Sequence, residues 1–491
     1  GELPENLVPG NPLYYASSFN LLGDVQGLLI ESHEGRPTKI EGLPDHVVNR
    51  GKTNLLAQAS VLGLYDPDRS FYPYQSKGKD VSGNRIHETS TWDEFYSYWE
   101  SLEFSKEQDL AFLIEDTNSP TFMNLVEKAK KKFPKANWYQ YSPVNEDNVL
   151  AGMNLVFGKD LKVHPDYSQA DVIVSLESDF LGIEPGNVKA TREFSQNRSL
   201  SSPRDSMNRL YVAESRFSLT GGKADHRLPM LSGEVQDFAR DLIAKLSGSL
   251  SKLRNLGGSG RAPAGLDSKK YGARLQLIAE DLMKAGRRAL VVAGQNQSPL
   301  VHAMAAAINE ALGAVGHTVT YTKTHGKYGS LKTLVDNMNQ GLVDKLVIFN
   351  GNPVYNAPSD LKFSEALKKV EHSIHFGLYK DETANQCRWH LNSTHPLEAW
   401  GDWYSFDGRV SLQQPLISPL SEIVKDSKAI GVGGPAFSDV EVLSALMGLK
   451  KKGHDLVKDY WMTSLRTNKA WNRALHNGVV LGKGYSKLQP S

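Results

Sequence analysis

The chain has 491 residues, too many for one ordinary core, so two or three domains are expected. Its 23% charged and 40% apolar residues are those of a globular protein, and a formal charge of +1 supplies no field for nucleic acid or an anionic membrane. A single cysteine, Cys387, excludes intrachain disulfides, paired-cysteine zinc sites, c-type haem attachment and four-thiolate clusters within the chain.

No apolar run has the length needed to span a bilayer, and no secretory leader pattern opens the chain. A start at Gly1 rather than methionine reads as processing or excision, with an address expected to have been lost. Gly27 to Ser32 and Thr38 to Gly42 are apolar-leaning runs joined by His33-Glu34-Gly35-Arg36-Pro37, which predicts a hairpin. A helix follows from Leu55 to Leu64 and stops at Tyr65-Asp66-Pro67, because proline disfavours helical geometry in the residue before it. Thr91 and Glu94 have capping-box spacing and open an aromatic helix over Trp92 to Leu102.

Leu110 to Ile114 reads as a buried strand, Glu115 to Pro120 as a turn and Thr121 to Phe133 as a helix, with Lys130 to Lys132 at its solvated end. Strand and turn recur at Asp171 to Ser175 and Arg209 to Ala213. Leu246 to Leu266 is rich in glycine and serine and reads as a surface linker between two α/β blocks. Ala289 to Ala293, Thr318 to Thr322, Leu346 to Phe349 and Ser373 to Phe376 continue the strand pattern. Strands alternating with helices imply parallel sheets covered on both faces, with ligands at the carboxyl ends of strands.

Three strand ends carry the chemistry that can be read. Gly351-Asn352-Pro353 offers bare backbone to a phosphate or nucleotide, although these are also the commonest turn residues. Glu177 and Asp179, at i and i+2 after a strand, read as solvated loop carboxylates rather than an acid/base couple. Glu214-Ser215-Arg216 ends a third strand, with Arg216 expected to pair with a neighbouring carboxylate on the surface. Cys387-Arg388-Trp389-His390, with His395 beyond, lacks common zinc spacing and reads as a buried free thiol beside strand histidines. There is no Gly-x-Ser-x-Gly elbow and no HExxH.

These features in this order resemble the molybdopterin oxidoreductases, the superfamily of formate dehydrogenase, nitrate reductase and polysulfide reductase. Leu346 to Pro358 is similar to the family's Gly-x-Asn-Pro strand end; Asp171 to Phe180 has Glu177 for its glycine, Asp179 for its asparagine and Phe180 for its proline. Two carboxylates there would repel a pyrophosphate unless protonated or bridged by a cation. Glu214-Ser215-Arg216, continued by Ala224-Asp225 and Leu228-Pro229, resembles the family's Asp-Pro-Arg turn. Glu382-Thr383-Ala384, Leu397 to Gly401 and Phe406 to Val410 complete the likeness. The resemblance places the family's first three cluster cysteines within Phe19 to Gln26, and the fourth cysteine and its basic neighbour at Leu56 and Gln58. No thiol stands at any of them.

In PLYYASSF, RPTKIEGLPDHVVN, NRLYVAESRFSLTGGKADHRLP, GNPVYNAPSDL and HFGLYKDETA the nearest resemblance within the superfamily is to B subunits of bacterial alternative complex III. That likeness implies a catalytically silent scaffold of a respiratory quinol-oxidising complex. Catalytic, cofactor-binding and metal-ligating residues are all expected to be none, with iron–sulfur clusters in a further C-terminal part or a partner chain. Implied partners are a ferredoxin-like iron–sulfur domain, a multihaem cytochrome c subunit and an integral membrane quinol-binding subunit, at the periplasmic side of the bacterial cytoplasmic membrane after export through a twin-arginine-like leader. The alternative is a molybdenum or tungsten subunit that binds the pterin dinucleotide through Gly351 to Pro353 and Glu382-Thr383 without an N-terminal cluster; a soluble nucleotide-binding module is a third reading.

The expected fold class is α/β, with two doubly wound, mostly parallel domains and a small N-terminal β-rich module, as in formate dehydrogenase and DMSO reductase. The boundaries expected are 1–75 for the N-terminal module, 76–118 with 267–420 for the first α/β domain and 119–245 for an inserted second. A linker at 246–266 and a C-terminal helical extension at 421–491 complete the division.

Overall fold

A computed structural model of the chain describes residues 8–21, 23–104, 109–202, 206–253, 268–324, 326, 328–405, 408–423, 435–480 and 487–488. Contacts divide it into two units, Gly1–Asn145 with His325–Lys483 and Glu146–Thr324 with Gly484–Ser491.

The first unit begins with a three-stranded antiparallel sheet, Leu13–Leu21, Asp24–His33 and Arg36–Gly42. The expected hairpin is its second and third strands, and both turn residues, Glu34 at φ 50° and Gly35 at φ 81°, take the left-handed geometry that matches strand twist. The helix Leu55–Leu64 forms where expected, with the Asn54 side chain accepting from the Ala57 N–H as its cap. The main sheet has seven strands. Trp389–Asn392, His372–Gly377, Lys345–Phe349, Leu110–Ile114 and Asn137–Gln140 run parallel in that spatial order, and the hairpin Tyr74–Lys79 and Arg85–Thr89 joins the Trp389 edge antiparallel. Every residue of LAFLI and KLVIF is buried, as befits central strands covered on both faces. Trp92, Phe95 and Trp99 cover one face from the Trp92–Ser101 helix, whose Thr91–Glu94 capping box closes as expected.

The second unit holds a four-stranded parallel sheet, His226–Pro229, Arg209–Glu214, Val172–Leu176 and Ala289–Ala293 in spatial order. The expected strand at Thr318 to Thr322 forms as Val319–Lys323, but it pairs antiparallel with Leu161–Pro165 in a separate two-stranded sheet.

The boundaries differ from those read in the sequence. Asn137–Gln140 pairs with Leu110–Ile114, so the first unit runs on to Asn145 rather than ending near Ser119. Ala289–Ala293 pairs with Val172–Leu176, so the second unit continues past the expected linker to Thr324. Residues 254–266 of that linker lie outside the described residues, but helices on either side of it, Glu234–Ser247 and Ser268–Ala285, belong to one unit and share one core. It therefore joins parts of one block instead of separating two. The expected C-terminal extension is helical at Asp439–Leu446, Gly453–Leu465 and Asn468–Asn477, yet it is built into the first unit. Val440, Leu443 and Leu446 share a core with the main sheet, and Val479–Val480 pairs with Val410–Gln413. Asp402 ties these pieces together, accepting from Ser119 Oγ at 2.7 Å, Thr121 Oγ1 at 2.6 Å and Trp461 Nε1 at 2.7 Å. The expected N-terminal module also ends earlier than 75, since Tyr74 is already in the main sheet.

Candidate functional site

Beyond the carboxyl ends of the strands, where an open parallel sheet holds its ligands, the second unit is crowded with its own carboxylates. Glu177 directly follows the Val172–Leu176 strand at φ 59°, a left-handed conformation that favours glycine. Its carboxylate accepts the Ser215 N–H at 3.1 Å, the Ser215 hydroxyl, the Ser232 hydroxyl at 2.5 Å and the Gln297 amide at 2.5 Å. Burial opposes the charge, but the hydrogen bonds from Ser215, Ser232 and Gln297 outweigh it and hold the carboxyl below its usual range. Asp179 accepts from the Thr220 N–H at 3.0 Å and hydroxyl at 2.8 Å. Arg216 is 62% exposed and reaches Asp179 only at 3.9 Å, the surface pairing expected of it. Phe180 is buried, stacked on Tyr167.

Two more carboxylates complete this end. Glu214 accepts from Arg227 Nε at 2.5 Å and Ser218 Oγ at 2.5 Å, and it lies so close to Gly221 that any side chain there would overlap it. Burial pushes Glu184 up to about 7, although the Ser178 hydroxyl at 2.6 Å and the Gln295 N–H at 3.3 Å donate to it.

In the first unit the Lys345–Phe349 strand ends in Asn350 at φ 57° and Gly351 at φ 68°, so the glycine-rich turn forms as expected. Its polar side chain is already paired. The Asn352 side chain donates to Glu382 at 2.6 Å and accepts from the Thr383 N–H at 3.2 Å and hydroxyl at 2.8 Å. A Cβ on Gly351 would stand 3.3 Å from the Glu115 side chain, which directly follows the Leu110–Ile114 strand. Burial, then the charges of Asp381 and Asp116, push Glu115 up to about 7. Beneath the turn a chain of donors runs from the Ser70 hydroxyl to His390 at 2.7 Å, between the two Nδ1 atoms of His390 and His375 at 3.0 Å, and from His375 to the Gly351 carbonyl at 3.1 Å. One proton per ring satisfies every link. Burial lowers both histidines, and His390 well below its usual range.

Cys387 is fully buried, and burial pushes its thiol up to about 12. His395 instead caps the turn Pro396–Glu398, so the cysteine and the two histidines do not converge, and no cluster that could hold a metal occurs among the described residues. Of the Phe406 to Val410 motif, Phe406 and Asp407 lie outside the described residues. Glu115, Glu184, His375, Ser232 and Gln297 were not legible as site residues. A signal existed for Glu115, an acidic residue directly after a buried apolar strand, the position Glu177 also holds.

At the N-terminus, Phe19 pairs antiparallel with Gln26, Asn20 with Val25 and Leu21 with Asp24, and Leu22 lies outside the described residues. Asp24 accepts from Gln26 at 2.6 Å and from the helix cap Asn54 at 3.0 Å. Leu56 is 50% exposed, and Gln58 bonds Lys39 at 3.1 Å and Thr53 at 3.0 Å.

The structure of acetylene hydratase from Pelobacter acetylenicus superposes with a TM-score of 0.69 over 96% of this chain and 72% of that one, at 11% identity. The chain has the molybdopterin-oxidoreductase fold. In sequence it is similar to the menaquinone reductase, molybdopterin-binding-like subunit, of Nitratidesulfovibrio vulgaris strain Hildenborough, 22% identical over 92% of this chain and 69% of the relative. No protein-family model matches it. Among the described residues, no helix is long and apolar enough to cross a membrane.

The groups this fold implies can be tested against the side chains present. A pterin dinucleotide carries a pyrophosphate, and in the second unit the converging donors already hold the anionic Glu177. In the first, Asn352 is committed to Glu382 and Thr383, with Glu115 against Gly351. These ends do not fit an anionic dinucleotide. Nor do Phe19 to Gln26, Leu56 and Gln58 fit an iron–sulfur cluster, which requires thiolates.

Proposed function

We propose that this chain is a molybdopterin-oxidoreductase-like scaffold subunit of a respiratory quinone- or quinol-linked oxidoreductase, without catalysis, molybdenum or iron–sulfur cluster of its own. The observation that carries this reading is Glu177, whose carboxylate takes the donors at the end of the second unit's central strand. The named function of the Nitratidesulfovibrio relative, a menaquinone reductase subunit, supports the quinone link. In this reading the complex is of the alternative complex III type on the periplasmic side of the membrane. The chain docks a ferredoxin-like iron–sulfur domain, a multihaem cytochrome c and a membrane subunit that binds quinol, and electrons pass through those partners. A second reading draws on the surviving Gly351–Pro353 turn: a molybdenum or tungsten subunit that keeps the pterin without the N-terminal cluster.

Purification of the tagged chain from membranes of its native cells tests the assembly. The scaffold reading expects co-purification with iron–sulfur and haem polypeptides and quinol-dependent haem reduction in the isolate. Recovery of the chain free of redox partners, with substrate turnover of its own, would overturn it.

A further inference from the structure

His375 and His390 stand in register on the adjacent parallel strands His372–Gly377 and Trp389–Asn392, and both are fully buried. The same row holds Leu113 and Ile348 on one side and Tyr74 on the other. Rings in such a row have no water, so their nitrogens must find partners within the protein. Those partners fix where every proton sits. The Gly351 carbonyl can only accept, so His375 carries its proton at Nε2 and presents a bare Nδ1. His390 must then donate from Nδ1 across 3.0 Å, which leaves its Nε2 bare for the Ser70 hydroxyl at 2.7 Å. In the neutral state the chain of donors runs one way, from Ser70 to Gly351.

We propose that Ser70, His390 and His375 form a one-proton relay: a proton taken up at His390 Nε2 sends the His390 Nδ1 proton to His375, and the charge comes to rest beneath the Gly351 turn. One N–H bond forms at His390 Nε2, one breaks at its Nδ1 and one forms at His375 Nδ1, while the Ser70 hydroxyl turns from donor to acceptor. No second proton fits, because two Nδ1–H groups cannot face each other at 3.0 Å. The surroundings send the charge to His375. Asp381 lies 3.9 Å from its Nε2 and favours the cation there, whereas His375, Lys380 and His87 disfavour a cation at His390. Tyr74 stacks on His390 with Lys380 over its ring, Glu382 adjoins Asp381, and Glu115, with Asp116 beside it, meets the turn from the Leu110–Ile114 strand. Burial lowers both rings, so uptake falls on the acid side of the ordinary histidine range. This goes beyond the scaffold reading, because it gives a buried row of the first unit a proton-linked response that docking does not require.

The test is nitrogen NMR of the whole chain carrying isotope-labelled histidine, followed from about pH 8 to about pH 4.5. Ser70→Ala and Asp381→Asn identify the two rings by the signals each moves. At the alkaline end His390 is expected with its proton on Nδ1 and His375 with its proton on Nε2. On acidification both change at one midpoint: His375 becomes the cation, while His390 stays neutral and exchanges its Nδ1 proton for one on Nε2. Asp381→Asn, which can still cap the Ala384 N–H, should lower that midpoint by about 0.5–1 pH unit. His390 protonated at Nε2 from the start, a cation at His390, separate midpoints for the two rings, or a midpoint unmoved by Asp381→Asn would each overturn the relay. So would a native chain that unfolds before either ring changes. Should Asp381→Asn not fold, the proton positions in the native chain decide alone. The scaffold reading stands or falls on metal and pterin content, which none of these outcomes touches.

Discussion

At the level of single residues, Glu184 shows how the crowded strand ends shape the response to pH. Burial raises its carboxyl to about 7, above the unfolded value, so the folded state binds this proton more tightly than the unfolded chain. Its contribution is fully present below the unfolded carboxyl range and is lost as pH rises through 7. Between pH 5 and pH 8 the native chain should therefore lose on the order of 1–2 kcal/mol more unfolding free energy than Glu184→Gln, as urea titrations at the two pH values would reveal. Equal losses would mean that Glu184 ionises freely in the fold. The sequence carried part of this chemistry. Glu177 and Asp179 were legible as misfits at a strand end, but an isolated glutamate such as Glu184 carries no mark of the burial that tertiary packing imposes.

Among the elements, two contacts hold the N-terminal segment of the first unit. Arg69 makes a bidentate pair with Glu398 at 3.1 and 2.6 Å, both side chains almost wholly buried, and Glu398 also accepts the His395 and Leu420 N–H groups at 2.8 and 2.9 Å. Arg69→Met should cost about 3–5 kcal/mol by stranding a buried charge. The double variant Arg69→Met/Glu398→Gln should recover much of that loss; a double variant no more stable than the single would contradict this account. The second contact is Gly27, where an added Cβ would fall 2.2 Å from the His46 ring, itself 2.9 Å from the Ser411 hydroxyl. Gly27→Ala should destabilise by about 1–3 kcal/mol, and a midpoint unchanged in thermal unfolding would show that the ring moves aside freely. The helix Leu55–Leu64 was legible to the residue because cap, apolar run and proline stop coincide in the sequence. The strand Leu13–Leu21 was not, since its mixed apolar and polar letters gain meaning only from the partner strand Asp24–His33.

For the whole molecule, the α/β class was legible because apolar strand runs and helices alternate along the chain. The division into units was not. Whether Asn137–Gln140 and Ala289–Ala293 belong to one sheet or the other is decided by long-range pairing, which local composition does not encode. The glycine- and serine-rich stretch misled for that reason: its composition does not encode where the chain goes next, and after it the chain returns to the sheet it had left. The scaffold proposal belongs to this scale: a chain with the molybdopterin-oxidoreductase fold whose converging strand-end donors are taken by its own carboxylate Glu177. Molybdenum, tungsten and iron content of the purified native chain, measured together with fluorescent pterin oxidation products, tests it most directly. A colourless protein with none of these in stoichiometric amount is expected. Stoichiometric molybdenum or tungsten with a pterin product would contradict it.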